Sequence, residues 1–183
     1  MKYEDMTFEE MRNDLIRTAK RGYSFPLAGA LFMIVVTILA QFLEEDILKM
    51  VWLFGMRSIF PLGVLLGKML GFDVMCRSPL GVLGGLVGGI QGLFLPVWIF
   101  AYVHNPEYLP FFIGVLGGAH FLPYFLIYRS KAYLFMAVAT VIVSVIFGAI
   151  FVENSYFTTP IAIAYVYFIS FFWIQNENRR DHI

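Results

Sequence analysis

Residues 81–92 read GVLGGLVGGIQG, six glycines in twelve positions inside a long apolar run. At helical spacing they fall into two rows, Gly81, Gly85 and Gly89 on one and Gly84, Gly88 and Gly92 on the other. In water each glycine costs a helix about 1 kcal/mol relative to alanine, so six would argue against one. In lipid the balance reverses. The backbone there must satisfy its own hydrogen bonds, and small residues let neighbouring helices touch. The stretch is therefore expected to be the close-packed central helix of a membrane bundle.

The composition around it agrees. Hydrophobic residues make up 60% of the 183 and charged residues 14%, with a mean hydropathy of +0.75. A soluble domain has about 45–50% apolar and about 25% charged residues. One soluble core of this length could not hide so much apolar surface, so the chain reads as a single-domain polytopic membrane protein. Its net charge of +0 gives no reason to expect a nucleic-acid partner. Cys76 is the sole cysteine, which excludes an intrachain disulfide and any multi-cysteine metal site. The sequence calls for no metal and no cofactor. The first apolar run begins near Phe25 and lacks a small-residue cleavage site, so it is expected to stay as an anchor.

Residues 1–22 carry balanced charge. Thr7-Phe8-Glu9-Glu10 fits a capping box, and Phe8, Met11, Leu15 and Ala19 then share one helical face before Gly22. A short amphipathic helix on the cytoplasmic membrane surface is expected here. Six apolar stretches follow, at about 25–43, 47–70, 79–103, 108–128, 131–152 and 156–175, each near the ~20 residues that cross a bilayer. Residues 23–178 thus form the bundle and 179–183 a tail. The fold class expected is all-α, a six-span helical bundle. Eleven of the thirteen Lys and Arg residues fall on one side of these spans, including Lys2, Arg12, Arg17, Lys20, Arg21, Lys68, Arg77, Arg129, Lys131, Arg179 and Arg180. The positive-inside rule then places both termini in the cytoplasm. Tyr23, Tyr102, Tyr108, Tyr128, Tyr133 and Tyr156 lie near span ends, as an interfacial aromatic belt would, and Trp52 and Trp98 lie toward the outer ends of their spans.

Gly81-Val82-Leu83-Gly84-Gly85 recurs as Gly114-Val115-Leu116-Gly117-Gly118. Each copy precedes a polar residue, Gln91 or His120, and then a Leu-Pro pair, Leu95-Pro96 or Leu122-Pro123. The two helices run in opposite directions, the arrangement of an inverted repeat. Close packing of spans three and four through Gly114 and Gly118 is the simpler expectation. The runs PLGVLGGLVGGIQ at 79–91 and NPEYLPFFIGVLGGAHFLPYFLIYRSKAY at 105–133 resemble a family of small bacterial six-span proteins known only as a domain of unknown function. The resemblance runs from Gly22-Tyr23 through Tyr133. It implies six helices in a bacterial cytoplasmic membrane and no activity, so no site residue follows from it.

Polar residues within spans are the candidates for function. Arg57, Gln91 and His120 lie ten, twelve and twelve residues into their spans, which at 1.5 Å per residue brings all three near the bilayer midplane. Arg57 cannot shed its charge, and no acid lies centrally in any span. It calls for carbonyls, Gln91, tyrosines, water or an anionic ligand, unless it snorkels outward along its stem. Pro61, Val64 and Lys68 follow it on one face, extending a basic path. His120 shares a face with Tyr124 and Tyr128, while Thr37 with Gln41 and Thr140 with Ser144 repeat the same polar spacing. Glu44-Glu45, Lys49, Phe100 and His104 resemble the glutamate-type membrane proteases of the prenyl-endopeptidase kind. That family has an arginine where Lys49 stands and an Asn or Asp where Tyr124 follows His120.

The leading expectation is binding or passage of a small anionic or polar solute at Arg57, Gln91, His120, Tyr124 and Lys68. The competing class is a membrane-embedded interaction or sensor subunit that docks a membrane or cytoplasmic protein or forms an oligomer. A lipid-modifying enzyme stands third.

Overall fold

The computed structural model describes residues 3–183, so Lys2 of the basic flank lies outside the described residues. Six helical stretches are long and apolar enough to cross a membrane: Phe8–Leu39, Glu45–Met69, Pro79–His104, Pro106–Ile127, Lys131–Ile150 and Val152–Arg180. No strand occurs among the described residues.

Among the described residues the spans are built from ten α-helices. Span one joins α1 (Phe8–Ala19) to α2 (Ser24–Leu39), and span two joins α3 (Glu45–Gly55) to α4 (Ile59–Met69). Span three joins α5 (Pro79–Gly89) to α6 (Leu95–His104), and span four joins α7 (Leu109–Ala119) to α8 (Leu122–Ile127). Span five is α9 (Lys131–Val145) with a π-helical extension, and span six is α10 (Ser155–Arg180).

The capping box at α1 is formed: the Glu10 amide donates to Thr7 Oγ1 at 3.3 Å, and the Thr7 amide donates to Glu10 Oε2 at 2.7 Å. Most of the expected apolar face of this helix is turned into protein, with Met11 partly buried against the core. Leu15, Ile16 and Ala19 are buried in protein while Phe8 is exposed, because α1 packs against α5.

The centre of the bundle is made by α2, α7, α9 and α10. α2 lies along α10 and α4, and α9 lies between α7 and α10. Close approach at this centre depends on small residues. A Cβ on Gly29 of α2 would sit 2.6 Å from the Tyr167 ring of α10, and one on Gly118 of α7 would sit 2.9 Å from Thr140 Cβ of α9. Gly114 meets Ser144 of α9 in the same way.

These contacts correct the packing expected for span three. Gly114 and Gly118 face span five, not span three. The most apolar window of span three is 17% buried, against 56% for span one, so the glycine-rich helix lies at the edge of the bundle. A Cβ added at Gly85, Gly89 or Gly92 would meet no atom within 4 Å, and these three face outward. Gly84 and Gly88 face inward onto the Tyr124 ring, and Gly81 lies against the Cys76 carbonyl. The reason is steric: hydroxyl-bearing α9 offers Gly114 and Gly118 a small complementary surface, whereas a tyrosine fills the space between spans three and four.

The interfacial belt is also rearranged. Trp52 and Trp98 are 0% and 3% exposed, and Tyr128 and Tyr133 are 7% and 2% exposed, so these four rings serve the core.

Candidate functional site

Besides the Lys20–Gly22 kink of span one, three spans break in mid-course, each beside one polar residue singled out by the sequence. Span two passes through a 3-10 turn at Met56–Ser58, which holds Arg57. Span three passes through a 3-10 segment at Ile90–Phe94, which holds Gln91. Span four turns at His120 and Phe121, between the end of α7 and the start of α8. Spans three and four resume with Pro96 and Pro123 in the first turn of the next helix. Proline supplies no N–H and its ring crowds the carbonyl one turn back, so the ladder loses a hydrogen bond at each point. The short sequence echo is therefore an echo in structure: helix, polar residue at a break, Leu-Pro restart.

The two breaks meet through side chains. The Gln91 amide nitrogen lies 2.9 Å from Nδ1 and 2.8 Å from Nε2 of His120. His120 Nδ1 is also in close contact with the Gly117 carbonyl oxygen. A carbonyl can only accept, so Nδ1 carries the proton and donates to it, leaving the Nε2 lone pair to accept from the Gln91 amide. Both partners are half-buried, and the arrangement fits a neutral imidazole. One turn on, the Tyr124 hydroxyl donates to the Gly84 carbonyl at 2.7 Å, joining span four to span three a second time. The tyrosine's bulk sits where Gly84 and Gly88 leave room for it.

From Tyr124 an aromatic stack continues inside the protein. Tyr124 and Tyr128 stack with ring centroids 5.9 Å apart, and Tyr133 lies 5.4 Å from the first and 5.6 Å from the second. The Tyr133 hydroxyl donates to the Arg21 carbonyl at 2.7 Å. Arg21 itself is 1% exposed. Its guanidinium donates from Nε to the Tyr128 carbonyl at 3.2 Å and from Nη1 to Asn178 Oδ1 at 2.7 Å, and it pairs closely with Asp181. Glu177 lies 4.0 Å away, and the Asn178 amide donates to the Lys20 carbonyl at 2.9 Å. This knot ties the kink of span one, the loop between spans four and five, and the end of span six.

The sequence points to Arg57 of span two as the telling arginine, and the structure moves that role elsewhere. Arg57 is exposed on the outside of the bundle, with its guanidinium 5.7 Å from the Phe54 ring centroid. At this break it is Met56 that turns inward, its Cε 4.0 Å from the Cβ position of Gly117. Adjacent helical residues point about 100° apart, so the inward place of Met56 turns Arg57 away from the interior. Lys68 is exposed too, and with Pro61 and Val64 it lines an outer groove of about 340 Å³. The structure thus brings together Gln91, His120 and Tyr124, and it leaves Arg57 and Lys68 outside that group. Thr37 and Ser144 bond back to their own helices, at 2.8 Å and 2.7 Å, and do not line the site.

In the sequence the buried Arg21 is only one of five basic residues before span one. Its partners lie 107 to 160 positions away, and no local pattern connects them.

A family model described as "Family of unknown function (DUF7010)" matches residues 8–177. The chain belongs to this family. The match includes Arg21, Gln91, His120 and Tyr124 and stops just before Asn178 and Asp181. No curated protein and no solved structure matches the chain. Among the described residues, no group of three or more His, Cys, Asp or Glu is placed to hold a metal ion.

Proposed function

We propose that the protein binds, and passes across the membrane, a small polar solute at the junction of the broken spans three and four. The observation that carries this reading is the Gln91–His120 pair, which joins two helix breaks. Irregular backbone is tolerated within a bilayer only where protein covers it or a cavity needs it, and discontinuous helices are where transporters place their binding sites. The solute would exchange hydrogen bonds with the Gln91 amide, the His120 ring and the Tyr124 hydroxyl. With Arg57 and Lys68 outside the group, these neutral donors and acceptors favour a polar, uncharged solute over an anion.

A second reading has its own support. The outward row of Gly85, Gly89 and Gly92 lies on the least buried span, where a partner's transmembrane helix would find a close-packing surface. In that reading the protein is an interaction subunit and the Gln91–His120 pair is a structural clamp.

Thiol accessibility separates the two. In a Cys76→Ser background, Gln91→Cys and Tyr124→Cys are each exposed to a membrane-impermeant thiol reagent in sealed vesicles. Labelling of both supports the solute site. Complete protection, with labelling only by a membrane-permeant maleimide, would leave the clamp and overturn the solute reading.

A further inference from the structure

Beside the Arg21 knot lies a separate cleft of about 240 Å³. Its polar wall is formed by Lys20, Gln175 and Arg179, and its apolar wall by Tyr23, Leu70 and Phe72, with Asn178 and Ile183 completing the rim. Three spans converge here: the kink of span one, the end of span two and the end of span six.

The backbone at the kink is unusual. Lys20 and Arg21 have φ of 49° and 54°, and Gly22 follows at 60°. Left-handed geometry is strained for any residue other than glycine. Two such residues in succession persist because the surroundings hold them. The Asn178 amide fixes the Lys20 carbonyl, and the Tyr133 hydroxyl fixes that of Arg21. The reversal sends the Arg21 side chain inward and leaves that of Lys20 lining the cleft.

The charges sort in the same way. Arg21 engages Asp181 and Glu177, the acids at the end of α10. Lys20 and Arg179 are left without an ion pair among the described residues, and no acidic side chain lines the cleft. The side chains of Tyr23 and Gln175 likewise make no hydrogen bond there. Among the described residues, Lys20, Arg179, Gln175 and Tyr23 are thus four donors without protein acceptors. Opposite them, the Tyr23 ring packs on Phe72 at 4.7 Å and on Phe171 at 5.7 Å, giving a continuous apolar surface at the span ends.

We propose that this cleft binds the headgroup of an anionic phospholipid, with Lys20 and Arg179 on the phosphate and Leu70 and Phe72 against the glycerol and upper acyl region. A cationic pair set over an apolar wall, where helices leave the bilayer, matches a ligand that is anionic at one end and apolar at the other. Gln175 and the Tyr23 hydroxyl supply further donors for headgroup oxygens. The site is separate from the Gln91–His120 junction, so it stands whether or not a solute binds there.

The test is thermal unfolding of the full chain in detergent with added phosphatidylglycerol, phosphatidylcholine or glycerol 3-phosphate. Phosphatidylglycerol is expected to raise the transition temperature and phosphatidylcholine to leave it unchanged. The double variant Lys20→Gln/Arg179→Gln should weaken phosphatidylglycerol binding by roughly 30-fold, the size expected for two cations near an anionic lipid surface. Arg180→Gln, a neighbouring cation outside the cleft, should not weaken it. If the double variant fails to fold, Arg179→Gln alone, at an exposed position, should weaken binding by roughly fivefold. Equal effects of the two lipids would overturn the proposal, as would equal effects of the Arg179 and Arg180 substitutions. Stabilisation by glycerol 3-phosphate alone, equal to that by phosphatidylglycerol, would show a free-phosphate site and overturn the lipid assignment.

Discussion

A single methyl group added at Gly118 should destabilise the bundle, whereas the same methyl at Gly85 should not. The Cβ of Gly118→Ala would lie 2.9 Å from Thr140 Cβ, 3.0 Å from Thr140 Cγ2 and 3.1 Å from the Val141 amide nitrogen. Ordinary contact between carbon atoms is about 3.5–4.0 Å. A change of rotamer cannot relieve this clash, since Thr140 Cβ and the Val141 nitrogen move only with the α9 backbone. Helices α7 and α9 must then separate along the interface they share. Overpacking of this kind costs about 1–3 kcal/mol. The gain in helix propensity on replacing glycine offsets up to about 1 kcal/mol of it. Gly118→Ala should therefore lower stability by up to about 2 kcal/mol. Gly85→Ala meets nothing within 4 Å and keeps only the gain. The assay is reversible unfolding of both variants in one detergent, followed by circular dichroism against an SDS titration. A loss at Gly85 equal to that at Gly118 would refute the packing derived above and restore the glycine-rich span to the centre. Gly114→Ala adds a check through Ser144, whose Cβ would lie 2.8 Å from the new methyl. Ser144→Ala removes the hydroxyl but not that carbon, so the pair should show partial rescue in a double-mutant cycle.

Arg21→Ala strands the Asn178 carbonyl oxygen and the Tyr128 carbonyl and should cost about 3 kcal/mol. Asp181→Asn, at a side chain 42% exposed, keeps an oxygen that accepts from the guanidinium and should cost less than Arg21→Ala; equal losses in the same unfolding assay would contradict a buried knot centred on Arg21. Tyr124→Phe removes the bond to the Gly84 carbonyl while keeping the ring, for a loss of about 1 kcal/mol. A loss as large as that of Tyr124→Ala would assign the tie between spans three and four to the hydroxyl alone. Thr7→Ala should weaken α1 by about 1 kcal/mol. Hydrogen exchange should rise over Phe8–Ala19 and stay unchanged in α2, and a spread into α2 would mean that the Lys20–Gly22 kink does not insulate the two helices.

How far the sequence reaches depends on the range of the interaction involved. Hydropathy needs only a window of about twenty residues, so the six spans are legible in it. Capping needs four residues, so the α1 start at Thr7 and Glu10 is legible too. Counting along the spans finds the polar residues at the breaks of spans two, three and four, because a proline or a polar side chain in an apolar run is a local mark. Which way those residues point is not local. Arg57 and Met56 are neighbours in sequence, and only the contact between Met56 and Gly117 decides that the arginine faces out. The composition of Gly81–Gly92 suggests a packing spine, but a glycine row packs only where a partner surface is small enough to receive it. Thr140 and Ser144 of α9 give Gly114 and Gly118 such a surface, while Tyr124 fills the space beside Gly84 and Gly88. The chain by itself determined that there are six apolar helices, since that follows from transfer to lipid. Tertiary structure alone decided which helices touch, which arginine is buried and which glycines are covered, because those outcomes rest on shape matches between residues far apart in the chain.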